Sequence, residues 1–314
     1  MKATPLPAAR TSPQRPVLRL RDYQEEAVAA ITAGLGARGT RGQLHAACGS
    51  GKTIMGLAGA LRTVGEEGLF VVTVPSVPLV AQTVATWREL AGMDSILAVC
   101  SDESVGGEPD SSVRATDIPA QVTTQSGEIA EWLRRRPARS LVVTTIYSAH
   151  RLGEALLATG ASADVVIVDE AHHLTGTPSP TTSRVLSDEA FPAHRRLFLT
   201  ATPRLNDAQA TTTGALSMSD RDVFGPVLYR YSWSRAIREK HLEDYRIVVM
   251  GVAEGQLYDL LQDTERQHVT GPGERISGRW PRRRSWRRPP CSTGCAASSP
   301  SARASRRPGS SPAP

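Results

Sequence analysis

No run of apolar residues in this sequence is long enough to span a bilayer, and the opening MKATPLPAARTSPQRP has no apolar core of seven or more residues. Export and membrane insertion are therefore not expected. Cysteine is scarce: Cys48, Cys100, Cys291 and Cys295 are too scattered for a disulfide framework, and no second pair completes a zinc site around Cys291 and Cys295. A reducing cytoplasm fits that usage. An excess of positive charge is missing from most of the chain. The formal net charge is +6, but residues 271–314 hold ten Arg and one Glu, which leaves the remainder at −3. The basic balance belongs to the tail, so it does not argue for nucleic-acid binding by the part that can fold. Any strand-binding surface must be local.

What is present is enough for a large core: 314 residues, 40% of them apolar. Residues 1–17 read as a disordered lead. Short β-rich runs then alternate with helix-like segments, the rhythm of an α/β fold. The expected strands are 43–47, 69–74, 95–100, 141–145, 165–169 and 196–200. Several are apolar on both faces, as parallel strands covered by helices are. The polar stretch 101–127 reads as a long surface loop between sheet elements.

The first chemical motif is Ala46-Ala47-Cys48-Gly49-Ser50-Gly51-Lys52-Thr53, between an expected strand and an apolar helical run. Small residues let backbone N–H groups turn inward around phosphates. Lys52 reaches the terminal phosphates, and the Thr53 hydroxyl can sit on Mg²⁺ at a helix start that favours anions. Ala46 stands where a strict pattern has its first glycine. The second motif is Val165-Val166-Ile167-Val168-Asp169-Glu170-Ala171-His172, an apolar strand that delivers two acids to the carboxyl edge of the sheet. There Asp169 can hold Mg²⁺ through its water shell, and Glu170 can orient and deprotonate the water that attacks a γ-phosphate.

Asp169-Glu170-Ala171-His172 resembles the DEAH box of superfamily 2 helicases, and Leu199-Thr200-Ala201-Thr202-Pro203 resembles their motif III, in the right order and spacing. Arg21-Asp22-Tyr23-Gln24 is similar to the family's adenine-reading glutamine motif. Val74-Pro75-Ser76-Val77-Pro78-Leu79-Val80-Ala81-Gln82 is similar to motif Ia, and Val143-Thr144-Thr145-Ile146-Tyr147-Ser148 to the segment that lies against the bound strand. The resemblance, which extends to type III restriction and mobile-element helicases, implies a RecA-like P-loop NTPase domain over 18–205, with helices on both faces of a mostly parallel sheet. ATP and Mg²⁺ are the implied cofactors, held by Arg21, Gln24, Ala47, Cys48, Gly49, Ser50, Gly51, Lys52, Thr53 and Asp169. Glu170 and His172 join Lys52 and Asp169 in catalysis by the same resemblance. Thr200 and Thr202 relay nucleotide state, and Pro75, Ser76, Thr144 and Thr145 touch nucleic acid. DNA is favoured over RNA as partner.

Residues 206–264 read as a connector and the start of a second motor domain. Within it, Asp222-Val223-Phe224-Gly225-Pro226-Val227 resembles the crossing between domains, 238–244 a charged helix, 247–252 a β-rich run and 257–262 a helix. From 271 on there is one Ile and no Leu, Val, Phe or Met, so the low-complexity tail placed at 265–314 cannot bury a core. The family's second domain, with its arginine finger, is not visible, and Gly278-Arg279 reads as a decoy because no strand-rich domain precedes it. A partner subunit or missing second domain is the expectation. A frameshift in a GC-rich gene accounts for the tail's Arg, Pro, Ala, Gly and Ser mixture, and other reading frames after about residue 264 test it. Two further classes stay open: a non-catalytic module that keeps ATP as a folding ligand, and a tail that binds polyanions without specificity.

Overall fold

The alternation of apolar runs and helix-like segments becomes one sheet flanked by helices in the computed structural model, which describes residues 18–65, 67–101, 114–177, 179–204 and 215–244. The strands are β1 (Thr40–Ala46), β2 (Gly68–Val74), β3 (Ile96–Val99), β4 (Gln121–Val122), β5 (Arg139–Thr145), β6 (Val165–Val168), β7 (Arg195–Thr200) and β8 (Val227–Tyr231). They lie in the order β4-β3-β5-β2-β6-β7-β1-β8, and every pair is parallel. All carboxyl ends therefore meet at one edge.

The helices are α1 (Asp22–Gly34), α2 (Lys52–Val64), α3 (Val77–Ala91), α4 (Ser126–Arg135), α5 (Ala149–Thr159), α6 (Arg221–Phe224) and α7 (Trp233–Arg238). Strand alternation sorts them onto two faces. Phe70, Val72 and Val74 of β2 pack with Ala27 and Ile31 of α1, Met55 and Leu57 of α2, and Val80 and Trp87 of α3. Leu69 and Val71 pack instead with Ile129 and Leu133 of α4, Leu152 and Leu156 of α5, and Phe224 of α6. This is a RecA-like α/β domain buried on both sides of its sheet. Among the described residues no helix is long and apolar enough to cross a membrane.

All six expected strands are present, with no end shifted by more than three residues. Two others were not foreseen. β4 is a two-residue strand inside the stretch read as a loop, where Thr123 N donates to Ala98 O at 3.0 Å and continues the ladder. The loop reading also ran too far, because α4 begins at Ser126; residues 102–113 lie outside the described residues. β8 falls in the segment assigned to the crossing into a second domain, yet it pairs in parallel with β1. The sheet thus continues beyond residue 205, because Gln43 N bonds Pro226 O and Ala47 N bonds Tyr231 O on the outer side of β1. The charged helix expected at 238–244 is instead α7, one turn earlier. Ser232 caps it by accepting from Arg235 N, and Lys240 leaves it with φ +57°. The lead 1–17, the runs 247–252 and 257–262, Gly278-Arg279 and the tail 265–314 lie outside the described residues.

Candidate functional site

β7 lies between β1 and β6, so the loop that follows β1 and the acids that follow β6 face each other across one strand end. The loop leaves β1 at Ala46 and turns through Gly49 (φ +79°) and Gly51 (φ +84°) before Lys52 opens α2. Those backbone angles favour glycine. At Gly51 a Cβ would also meet Gln24 Nε2 at 2.7 Å, so a side chain there would displace the Gln24 amide. Ala47, Cys48 and Ser50 form the rest of the turn, with Ser50 Oγ donating to Ala47 O at 2.6 Å.

Lys52 is buried, and its Nζ lies 3.7 Å from Glu170 Oε1. Thr53 Oγ1 donates to Asp169 Oδ2 at 3.5 Å. Asp169 Oδ1 accepts from Glu170 N at 2.9 Å. Burial first, and then the charge of Glu170, push the Asp169 carboxyl above the usual range, while the Glu170 N–H, Lys52 and Thr53 oppose them. Glu170 itself has φ +50°, one of two non-glycine positive values among the described residues. Such strain concentrates where a side chain must be aimed.

Glu170 aims at a second group. His172 Nδ1 is 3.2 Å from Glu170 Oε2, 3.0 Å from Thr200 Oγ1 and 3.5 Å from Thr202 Oγ1. Thr202 N in turn donates to Thr200 Oγ1 at 3.1 Å. The acid after β6 and the threonines that end β7 are therefore joined through one imidazole, whose pKa burial lowers. On the other flank, Gln24 Nε2 donates to Ser50 O at 3.1 Å and Gln24 Oε1 accepts from Arg21 N at 3.0 Å. One N–H and one lone pair of that amide remain for a ligand. Beside Thr53 and Asp169 a cavity of about 310 Å³ opens between α2 and α3, walled by Gln82, the last residue of the motif Ia-like segment, and by Thr83 and Thr86, which sequence reasoning did not single out.

Residues 17–205, more than half of the chain, match the family described as Type III restriction enzyme, res subunit. The chain belongs to that family. Curated relatives include the Probable helicase A859L of African swine fever virus, 28% identical in isolate Tick/South Africa/Pretoriuskop Pr4/1996 and 29% in isolate Tick/Malawi/Lil 20-1/1983, each over 244 residues. Each alignment covers 76% of this chain and 25% of the relative. Among solved structures, the ATP-dependent Type ISP restriction-modification enzyme LlaBIII bound to DNA is similar at a TM-score of 0.62 and 26% identity, covering 80% of this chain and 18% of that one. A nuclease-deletion mutant of the Type ISP enzyme LlaGI, in complex with a DNA substrate mimic, gives 0.59 and 29%, covering 72% and 18%. The chain spans about a quarter of the length of these curated relatives. Fold, family and relatives together identify a superfamily 2 helicase first motor domain in this chain.

In this member of the res-subunit family the expected nucleic-acid contacts divide. Pro75 and Ser76 are half-buried where β2 ends and α3 begins. Thr144 and Thr145, expected to touch nucleic acid, are buried at the end of β5. Their hydroxyls are engaged: Thr144 Oγ1 donates to Val99 O at 3.0 Å, and Thr145 Oγ1 accepts from Ser148 N at 3.2 Å. β5 lies between β3 and β2, which closes both of its flanks. From 143 to 148 the exposed side chain is Tyr147, at 50%.

Proposed function

We propose that this domain binds Mg-ATP between the loop 46–53 and the acids Asp169 and Glu170, and that it drives an ATP-dependent helicase or translocase acting on DNA. The observation that carries this reading is the pairing of Thr53 with Asp169 at 3.5 Å and of Lys52 with Glu170 at 3.7 Å at one sheet edge. A buried lysine and a loop whose two positive-φ turns favour glycine suit a triphosphate. Mg²⁺ also fits the residues present. Thr53 and Asp169 offer hard oxygen donors, and burial, then the charge of Glu170, raises the cost of ionising Asp169 until a cation is near. When bound, that ion supplies positive charge to the phosphate oxygens.

Lys52 then holds the β- and γ-phosphates, Glu170 orients and deprotonates the attacking water, and Gln24, with Arg21 beside it, offers its free amide positions to the adenine edge. His172 with Thr200 and Thr202 carries the state of Glu170 to the end of β7. On the strand side the reading keeps Pro75 and Ser76 and replaces Thr144 and Thr145 with Tyr147. The two DNA-bound restriction enzymes among the structural relatives favour DNA; RNA is the alternative, because these contacts fall mostly on phosphate and sugar. Tested as the 314-residue chain, turnover is expected to be slow, since an arginine finger contributes about 10³ to 10⁵ in rate and none is visible in its sequence. The test is Mg-ATP binding and turnover with matched DNA and RNA strands. Lys52→Ala is expected to abolish both activities, and equal ATP binding by that variant would sink the proposal.

A further inference from the structure

The carbonyl of Ser50, in the middle of the phosphate loop, accepts two side-chain bonds: from Tyr23 Oη at 2.9 Å and from Gln24 Nε2 at 3.1 Å. A loop that turns its N–H groups toward an anion must have its carbonyls held elsewhere, and these two donors do that. Gln24 belongs to the sequence pattern already assigned. Tyr23, its neighbour in that motif, has been given no role, and what holds Tyr23 comes from the far end of the domain. Its ring lies face to face on Tyr231, centroids 4.1 Å apart and planes 6° from parallel, with the His241 ring 4.7 Å away. Both tyrosines are buried.

Tyr231 grips the loop a second time, through its backbone. Its carbonyl accepts from Ala47 N, the first residue after β1, at 3.0 Å. Its hydroxyl donates to Glu239 at 2.9 Å and lies 2.9 Å from His241 Nδ1. Arg235 ties the arrangement to α1, bonding Glu239 at 2.7 Å and Glu26 at 2.9 Å while its guanidinium lies 5.3 Å from the Tyr231 ring centroid. Leu242 reaches the loop directly, since a Cβ built on Gly49 would meet its Cδ2 at 3.2 Å.

We infer that residues 229–242 form a clamp that positions the phosphate loop for its nucleotide, with Tyr23 as the positioning residue through which the clamp acts. A segment beyond the family-matched 17–205 is then part of the nucleotide site. The inference rests on the reading that this loop binds Mg-ATP. By linkage, whatever the nucleotide gains from a fixed loop it returns to the clamp, so binding tightens the chain just before residue 245.

The loop contains its own probe, because Cys48 is exposed. The experiment follows alkylation of Cys48 by iodoacetamide in the full chain, read on its peptide by mass spectrometry, together with Mg-ATP affinity. Tyr23→Phe removes one hydroxyl and leaves the ring stack. It is expected to speed nucleotide-free alkylation of Cys48 and to weaken Mg-ATP binding by about three- to tenfold, the loss of one hydrogen bond. Tyr231→Leu is expected to do the same, and Tyr231→Phe, which keeps the stack and the backbone bond, to return most of the affinity. A stack that merely anchors an edge strand would shift thermal stability and leave the Cys48 rate alone. Tyr23→Phe with wild-type alkylation and wild-type affinity overturns the clamp. Failure of Mg-ATP to slow Cys48 alkylation in the wild-type chain instead overturns the nucleotide reading, and the nucleotide-free rates still judge the clamp.

Discussion

The centre of the sheet, where β6, β7 and β1 end, and its β2–β5–β3 side are made of the same kind of apolar parallel strand, yet they treat polar side chains in opposite ways. At the centre the polar groups sit at or just past the strand ends. Lys52, Thr53, Asp169, Glu170, His172, Thr200 and Thr202 are linked there by contacts of 2.9 to 3.7 Å. On the other side Thr144 and Thr145 close β5, and their hydroxyls serve the backbone. Thr145 ends β5 as Thr200 ends β7, so what a strand-end hydroxyl meets, a backbone N–H in one case and an imidazole in the other, decides whether it is available for chemistry.

Glu170 offers the largest effect with which to break this contrast. A strand-end acid that only balanced Lys52 would affect ATP binding, whereas one that handles the attacking water would affect turnover. Glu170→Gln is therefore expected to keep Mg-ATP affinity within a few-fold and to lower turnover by about 10²- to 10⁴-fold. Single-turnover hydrolysis beside equilibrium binding separates the two roles, and turnover within threefold of wild type would assign Glu170 to charge balance.

The next effect sharpens the contrast within β1 itself. His45 lies inside that strand, buried, its Nε2 2.9 Å from the Gln43 Oε1, while the Gln43 amide donates to Met218 O and Gly225 O. Burial, aided by Arg230, pushes the imidazole down to about 4 from 6.5. The folded chain thus binds fewer protons than the unfolded chain below pH 6.5. The stability contributed is complete above 6.5 and is lost as pH falls toward 4, amounting to about 2 kcal/mol between pH 7 and 5. His45→Gln is expected to remove that part of the acid slope in denaturant titrations and to leave Mg-ATP affinity unchanged. An unaltered slope would mean that His45 is not buried in neutral form.

The same contrast explains what the sequence disclosed. Strands apolar on both faces and motifs placed at their ends are local patterns, so six strands and the loop–acid pair were legible without coordinates. β8 was not. Val227-Leu228-Tyr229-Arg230-Tyr231 carries no motif, and its place beside β1 is fixed by bonds to residues about 180 positions earlier. The Tyr23–Tyr231 stack is non-local in the same way, and neither ring announces its partner. β4, at two residues, is too short to show a period. The burial of Thr144 and Thr145 follows from β5 having neighbours on both sides, which strand order decides and composition does not.

The smallest expected effect bears on the side of the sheet where the sequence was least informative. Tyr147 stands just past the end of β5, 50% exposed, its carbonyl fixed by His150 Nδ1 at 2.9 Å. Stacking of a base on an aromatic side chain contributes about 1–3 kcal/mol, and a half-exposed ring belongs at the lower end of that range. Tyr147→Ala is accordingly expected to weaken single-stranded DNA binding by about fivefold, or about 1 kcal/mol, with the salt dependence unchanged because no phosphate contact is lost. Thr145→Val, close in shape, should cost stability through the bond from Ser148 N and leave strand affinity as it was. Fluorescence anisotropy with a labelled oligonucleotide at two salt concentrations measures both. If Thr145→Val weakens binding and Tyr147→Ala does not, then the buried end of β5 communicates with the nucleic acid after all, and the partner of a strand-end hydroxyl is not what separates the two sides of the sheet.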